Sequence, residues 1–458
     1  MDLSYNKLNQ ITPCISFQDF LEKINCWYGQ SIAFKDYKNN WKYNDLYIAI
    51  HNVLPYFIKR EVQYYYINIG HPVYFCIAFF AIIISGKVAL LSSVGPNEPE
   101  TIEIINEKDV VALLQSADDG DFPPKCDNAK LAIIAQSSGT TSISKAVMLS
   151  QKNLLSDTIG GMQLYDYPKG AIYYNILPYS HLFGLVADML GPLYSGGTIC
   201  FSDNKLNFFK DLQYFCPTHM NLPPAMVYMI EKMMDKTNNI TIATGGKLKK
   251  IMCAGAYLEE ETINKLQRAG IYVFPAYGLT ECSPCVSMNS ELFSKSGSVG
   301  KILPCCKVKI VDNEITVQGD IVMLGYWNDS VATKHTIREG WLYTGDYGYI
   351  DDEGFLFLTG RKSNLIVFED GTKIIPEQLE KKISSMRGVK ECVLKKVQID
   401  FRTRMKLIVV IENKKDVSKL TSEIQNYFEK QNLLNRIATI TFTTDGLPKN
   451  KLGKIIRR

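Results

Sequence analysis

Apolar residues mark out helices and short strands in turn from Ser16 onward. Phe17, Phe20, Leu21 and Ile24 fall on one face at helical spacing, whereas Val88 to Leu91 is an apolar run of strand length. The most apolar stretch, Val73 to Ile84, ends at once in Ser85, Gly86 and Lys87. It is shorter than the ~20 residues a bilayer span needs, and it predicts a buried helix. Leu131 to Ala135 predicts a strand, and Val147 to Leu149 a second strand returning after a polar loop. This mixture predicts α/β layers, and no internal repeat of solenoid length is present.

The pattern changes around Gly360 to Asn364. Beyond it, Leu365 to Phe368 and Lys373 to Ile375 flank an Asp370-Gly371 turn, the composition a tight hairpin prefers. Pro376 then opens a helix with Leu379, Ile383 and Met386 on its buried face. Met405 to Ile411 predicts a strand, and Leu420, Ile424, Tyr427 and Phe428 line a further helix. The chain is therefore expected to divide into residues 1–361, an α/β domain, and residues 362–458, a small α+β domain. Gly446 to Arg458, rich in Gly, Pro and Lys, predicts a mobile loop or tail.

Composition narrows the classes. The 458 residues exceed what one ordinary core holds, and 46% hydrophobic with 21% charged residues is the balance of a globular protein. Lys and Arg total 51 against 47 Asp and Glu, spread along the chain, so charge makes no case for nucleic acid. No basic region feeds an apolar one at the N-terminus, and no transmembrane segment is predicted, so the expected location is cytoplasmic. The 12 cysteines are expected as reduced thiols. Cys282 and Cys285 form a C-x-x-C that Cys305 and Cys306 could complete as a zinc set, an arrangement less favoured than unligated thiols.

The strongest local signal is Ser137-Ser138-Gly139-Thr140-Thr141-Ser142-Ile143-Ser144-Lys145, directly after the predicted strand. Hydroxyls, one glycine and a lysine supply close donors and positive charge, which a polyphosphate requires. The Walker spacing is missing. Composition alone would serve a solvated linker equally well.

This loop resembles the phosphate-binding signature of the ANL superfamily of adenylate-forming enzymes. Further motifs of that superfamily follow in order. Tyr277-Gly278-Leu279-Thr280-Glu281 is similar to its Y-G-x-T-E, Tyr343-Thr344-Gly345-Asp346 to its T-G-D, and Gly360-Arg361 to its G-R. Leu447-Pro448-Lys449-Asn450-Lys451-Leu452-Gly453-Lys454 resembles the terminal P-K-x-x-x-G-K, and Gly325-Tyr326-Trp327 and Gly340-Trp341 also match family usage. The resemblance covers nearly the whole chain. It implies a large multi-sheet N-terminal domain and a small mobile C-terminal lid.

It also implies roles for residues. Ser137, Ser138, Gly139, Thr140, Thr141 and Lys145 would cradle the phosphates of ATP, and Tyr277, Gly278, Gly255 and Ala256 would lie by the nucleotide. Glu281 would hold Mg2+, a hard cation that takes oxygen ligands, while Thr280 donates to a phosphate. Asp346 would accept from the ribose hydroxyls, with Arg361 as a second contact. Lys454 would bridge the substrate carboxylate and the α-phosphate. Ser363 falls at the hinge, and Gly371 and Lys373 beside the thiol channel.

Leu177-Pro178-Tyr179-Ser180-His181-Leu182-Phe183-Gly184 is similar to the P-x-x-H-x-x-G segment of acyl and aryl CoA ligases, which places His181 at the acyl pocket. The Asp that amino-acid-activating relatives use there is lacking, so the expected partner is a carboxylic acid without an α-amino group. Ser142 and Ser144 stand where Gly and Pro are usual, and Ser363 where Asp or Lys is usual. The implied activity is formation of an acyl-AMP followed by thioester formation with CoA. Two alternatives are a free-standing enzyme that loads the phosphopantetheine thiol of a carrier protein, and a non-catalytic nucleotide-binding protein.

Overall fold

Ser16 opens the first helix, Phe17–Tyr28, its hydroxyl accepting from the Asp19 N–H at 3.1 Å. Phe17 meets Phe79 and Phe80 edge-on, with centroids 5.4 and 5.5 Å apart. Both partners sit on Pro72–Ile84, the all-apolar helix, which is buried along nearly its whole length. An apolar helix buried all round belongs to the interior of a large protein. No helix among the described residues is long and apolar enough to cross a membrane.

The computed structural model describes residues 11–92, 99, 101–116, 127–137, 145–203, 205–400, 402–413, 417–449, 455 and 457. It divides into two compact units. The first comprises Met1–Lys309, Thr316–Tyr343 and Asp352–Leu356, the second Ile310–Ile315, Thr344–Asp351 and Phe357–Arg458. The second thus takes in residues 362–458 and adds a few residues before them and two earlier segments.

Two sheets organise the first unit. The six-stranded sheet runs in the order Gly325–Tyr326, Ala146–Ser150, Leu131–Gln136, Val88–Leu90, Tyr64–Asn68, Ile102–Asn106. At the centre of a nine-stranded sheet, His219–Leu222, Lys250–Cys253 and Tyr272–Gly278 lie side by side in parallel. Parallel neighbours end at the same edge, so the Gly255-Ala256 turn and the Leu279–Glu281 turn leave the sheet together. The carboxyl ends of such strands are where α/β proteins place ligands. The returning strand predicted over Val147 to Leu149 pairs antiparallel with Leu131–Gln136 as expected.

In the second unit, Val389–Ile399 pairs antiparallel with Arg402–Ile411, which pairs parallel with Ile437–Thr443. The helices Pro376–Ser384 and Val417–Lys430 cover one face of this sheet, where Ile383, Leu407, Ile424 and Phe428 form a core. Met386, expected on the first of these helices, packs against the same core from just beyond its end. The Asp370-Gly371 hairpin forms with Ile366 opposite Ile374 and Val367 opposite Lys373.

Of the segment Gly446 to Arg458, expected as a mobile loop or tail, the described residues make specific contacts with the small unit. Glu391 accepts from the Leu447 N–H at 2.8 Å and from the Lys449 ammonium at 2.5 Å, and Lys449 bridges Ile455. Arg457 donates to Glu380 at 2.6 Å and to the Leu394 carbonyl at 3.1 Å. Lys449 and Arg457 thus each find a carboxylate, that of Glu391 half-buried and that of Glu380 buried.

Candidate functional site

Ser137 and Lys145 close the base of the predicted phosphate loop. The Ser137 N–H donates to the Lys145 carbonyl at 2.8 Å, and the Lys145 N–H to the Ser137 hydroxyl at 3.1 Å. They stand there because the strands on either side are neighbours in the six-stranded sheet. Ser138, Gly139, Thr140, Thr141, Ser142 and Ser144 lie outside the described residues.

Thr280 and Glu281 occupy a short 3-10 turn at the end of the strand Tyr272–Gly278. The turn is tight: a Cβ at Gly278 would collide with the Pro284 carbonyl oxygen, which accepts from the Leu279 N–H at 2.8 Å. Only glycine fits that approach. Tyr277, one residue back, is buried. The Glu281 carbonyl accepts from the Met323 N–H at 3.0 Å, and the Ser283 hydroxyl donates to the Ile321 carbonyl at 2.8 Å. These bonds tie the turn to the segment that becomes the edge strand Gly325–Tyr326.

That edge strand carries Tyr326, which the G-Y-W resemblance named without giving it a role. The Tyr326 phenol donates to Glu281 Oε1 at 2.9 Å, and the Lys145 ammonium lies 4.5 Å from the centre of the same ring. The loop lysine and the turn carboxylate, distant in sequence, thus meet on two sides of one aromatic side chain. Burial, with Glu281 beside it, pushes the phenol well above its ordinary range, so it is a neutral donor at any working pH. The one available signal was the G-Y-W segment itself.

Gly255 has φ +95, no described residue lies within 4 Å of where a Cβ would stand, and Ala256 beside it is half-buried. His181 is exposed, its carbonyl accepting from the Leu185 N–H at 2.9 Å. It precedes a π-helical segment, Gly184–Leu190, whose Asp188 is 1% exposed. Asp188 accepts from Asn221 Nδ2 at 2.7 Å and from Asn175 Nδ2 at 3.1 Å. Asn175 also donates to the Leu177 carbonyl at 2.9 Å, so the network reaches the segment that ends in His181. Burial raises the Asp188 carboxyl to about 7. An acidic residue inside the apolar run from Leu182 to Leu193 was a readable signal for it.

In the second unit, Asp346 is 5% exposed and its Oδ1 accepts from Arg361 Nε at 2.7 Å. Glu314 organises the residues around this pair. One of its oxygens accepts from the Gly345 N–H at 2.9 Å and the other from the Lys362 ammonium at 2.6 Å. Gly345 has φ +72, which lets the T-G-D turn form without strain. Gly360 has no room for a side chain, since a Cβ there would collide with Ile375. Ser363 is exposed in a one-turn 3-10 helix, Lys362–Asn364. Gly371 sits at the hairpin tip with φ +83, and among the described residues none lies within 4 Å of where a Cβ would stand. Lys373 follows it, exposed. Asp370 receives both terminal nitrogens of Arg436, at 3.2 and 2.6 Å. Lys454 lies outside the described residues.

Cys282, Cys285, Cys305 and Cys306 are free thiols, and no group of three or more His, Cys, Asp or Glu among the described residues is arranged to hold a metal. Magnesium does not need such a cage: one or two carboxylates with nucleotide phosphates and water suffice. Glu281 fits that donor set, because one oxygen is steadied by a neutral hydroxyl while the other takes no hydrogen bond among the described residues.

Comparison with known proteins bears on the family and the fold. The family model described as AMP-binding enzyme matches residues 52–327. A long-chain-fatty-acid–CoA ligase of Escherichia coli is 28% identical over 351 residues, covering 72% of this chain and 61% of the relative. A 4-coumarate–CoA ligase-like protein of Oryza sativa is 30% identical over 359 residues, covering 72% and 63%. The chain therefore spans less than two thirds of the length of these relatives. The fold is shared with o-succinylbenzoate CoA synthetase of Bacillus subtilis in complex with its acyl-adenylate, at a TM-score of 0.78, 21% identity and 96% coverage of both chains. With the family model matching more than half of its residues, the chain belongs to the AMP-binding enzymes.

Proposed function

We propose that the protein is an AMP-forming acid–thiol ligase of the acyl- or aryl-CoA type, using ATP and Mg2+. The observation that carries this reading is the meeting of Lys145 and Glu281 on Tyr326. It sets a cation and a carboxylate, the groups that a polyphosphate and its metal require, at one place. The names of the relatives, which are CoA ligases, support the same reaction class.

In the first half-reaction the substrate carboxylate attacks the α-phosphorus and pyrophosphate leaves. In the second, a thiol attacks the acyl carbon, and AMP departs with the electron pair of the broken bond. A bound magnesium ion would offset the charge of the phosphates. Glu281 would hold it, Thr280 and the loop from Ser137 to Lys145 would bind the phosphates, and Asp346 with Arg361 the ribose. Gly255, Ala256, Tyr277 and Gly278 would border the nucleotide, and His181 the acyl group. Residues 362–458 would act as a lid turning about Ser363. Lys454 would serve the first step, and the hairpin at Gly371 and Lys373 the second. Positioning and charge neutralisation supply the rate, and no side-chain nucleophile is required.

The test is a screen of carboxylic acids lacking an α-amino group for ATP-dependent pyrophosphate release. CoA, and then holo carrier proteins, are supplied as acceptors. Thioester formation with CoA is expected. ATP binding without pyrophosphate release for any acid would overturn the reading, and transfer to carrier proteins alone would reassign the acceptor.

A further inference from the structure

Tyr326 is held more firmly than a bystander would need to be. Its backbone pairs with Val147 in the six-stranded sheet, its N–H donates to the Thr333 hydroxyl at 2.9 Å, and its side chain is almost fully buried. The edge strand fixes the backbone, and burial leaves the ring little room to turn. Its phenol meets Glu281, with the Thr336 hydroxyl as a further neighbour, and its face carries Lys145.

A carboxylate at the end of a freely rotating side chain presents either oxygen in many directions. A rigid hydroxyl bound to one oxygen selects one rotamer and leaves the other oxygen aimed in a fixed direction. The same ring offers an electron-rich face that holds an ammonium beside the loop it belongs to. We propose that Tyr326 is the positioning residue that sets Glu281 for the nucleotide's metal and parks Lys145 for its phosphates. This rests on the reaction class proposed above and adds to it a residue with two separable tasks. The phenol oxygen acts on the metal ligand and the ring face on the cation.

The separation makes the inference testable without turnover. The full-length protein is loaded with ATP in the absence of any acid. Mn2+ binding is measured by the loss of the free-ion electron spin resonance signal, and metal-free ATP binding by calorimetry. Removing a group that orients a metal ligand typically weakens metal binding about 10- to 100-fold. Tyr326→Phe, which keeps the ring, is therefore expected to raise the Mn2+ dissociation constant about tenfold while leaving metal-free ATP binding unchanged. Tyr326→Leu is expected to do the same and also to weaken metal-free ATP binding, because Lys145 loses its platform. Glu281→Gln serves as the reference. If it raises the Mn2+ dissociation constant and Tyr326→Phe does not, the positioning role is overturned and the metal role of Glu281 stands. If Glu281→Gln itself leaves Mn2+ binding unmoved, the underlying site assignment fails. Should Tyr326→Leu fail to fold, the near-isosteric Phe variant still decides the metal half, and Lys145→Met decides the phosphate half. Metal-free ATP binding unchanged in Lys145→Met would overturn the second task.

Discussion

Arg361 and Asp346 are bonded to each other, Nε to Oδ1 at 2.7 Å, with side chains 33% and 8% exposed. The sequence resemblance implies that both reach the nucleotide. Their pairing makes them one unit, in which the guanidinium fixes the carboxylate that would accept from the ribose. Asp346→Ala is expected to raise the ATP concentration for half-maximal pyrophosphate release about tenfold or more, because it also strands the arginine. Arg361→Ala should shift the same quantity less. Unchanged ATP dependence in Asp346→Ala would show that ribose binding lies elsewhere.

Glu281→Gln keeps the volume and the bond from Tyr326 but weakens the metal ligand. Pyrophosphate release at saturating Mg2+ is expected to fall roughly a hundredfold, on the scale of losing an essential charge-stabilising group. The melting midpoint should stay within a few degrees, the range a change of under about 1 kcal/mol produces in a chain of this size. Wild-type rates in the folded variant would remove Glu281 from the reaction.

The two half-reactions are expected to separate within the second unit. Lys454→Ala should cripple acyl-AMP formation and spare thioester formation from supplied acyl-AMP. Gly371→Trp should do the reverse: the tip at φ +83 strains any side chain, and a bulky one stands where the thiol is proposed to pass. Each step is assayed separately on both variants. Equal losses in both steps would mean that one arrangement serves the whole reaction.

Asp188 makes stability depend on pH with a definite sign. Its folded carboxyl is raised to about 7 from 3.8, so the folded state holds a proton that the unfolded chain has released. The contribution is complete below about pH 4 and is lost as pH rises toward 7, with a total on the order of a few kcal/mol. Asp188→Asn should remove that slope. Calorimetric midpoints taken between pH 5 and 8 should therefore fall less in the variant than in the wild type. Parallel profiles would mean that Asp188 is already ionised.

Local pattern carried the elements well where the apolar period was clear. The helix over Pro72–Ile84, the return strand Ala146–Ser150 and the hairpin at Gly371 all lie where spacing put them. What spacing could not reach were pairings between distant charges and rings. Tyr326 matters through the register that sets it opposite Val147, and register between remote strands leaves no local trace. Glu314 and Glu380 look like ordinary surface acids in the sequence. Their partners, Lys362 and Arg457, are named only by the folded chain. Asp188 is the intermediate case, since its apolar surroundings were visible and its asparagine partners were not.

Glu380, 8% exposed, depends on Arg457 for its countercharge. A buried carboxylate that loses its partner typically costs about 3–5 kcal/mol, so the small unit cannot reach its full stability until Arg457 has been synthesised and has left the ribosome. A chain cut just before Arg457 would keep every described strand and helix of that unit and still leave Glu380 without this countercharge. Such a chain is expected to open more often and to be cut sooner by proteases.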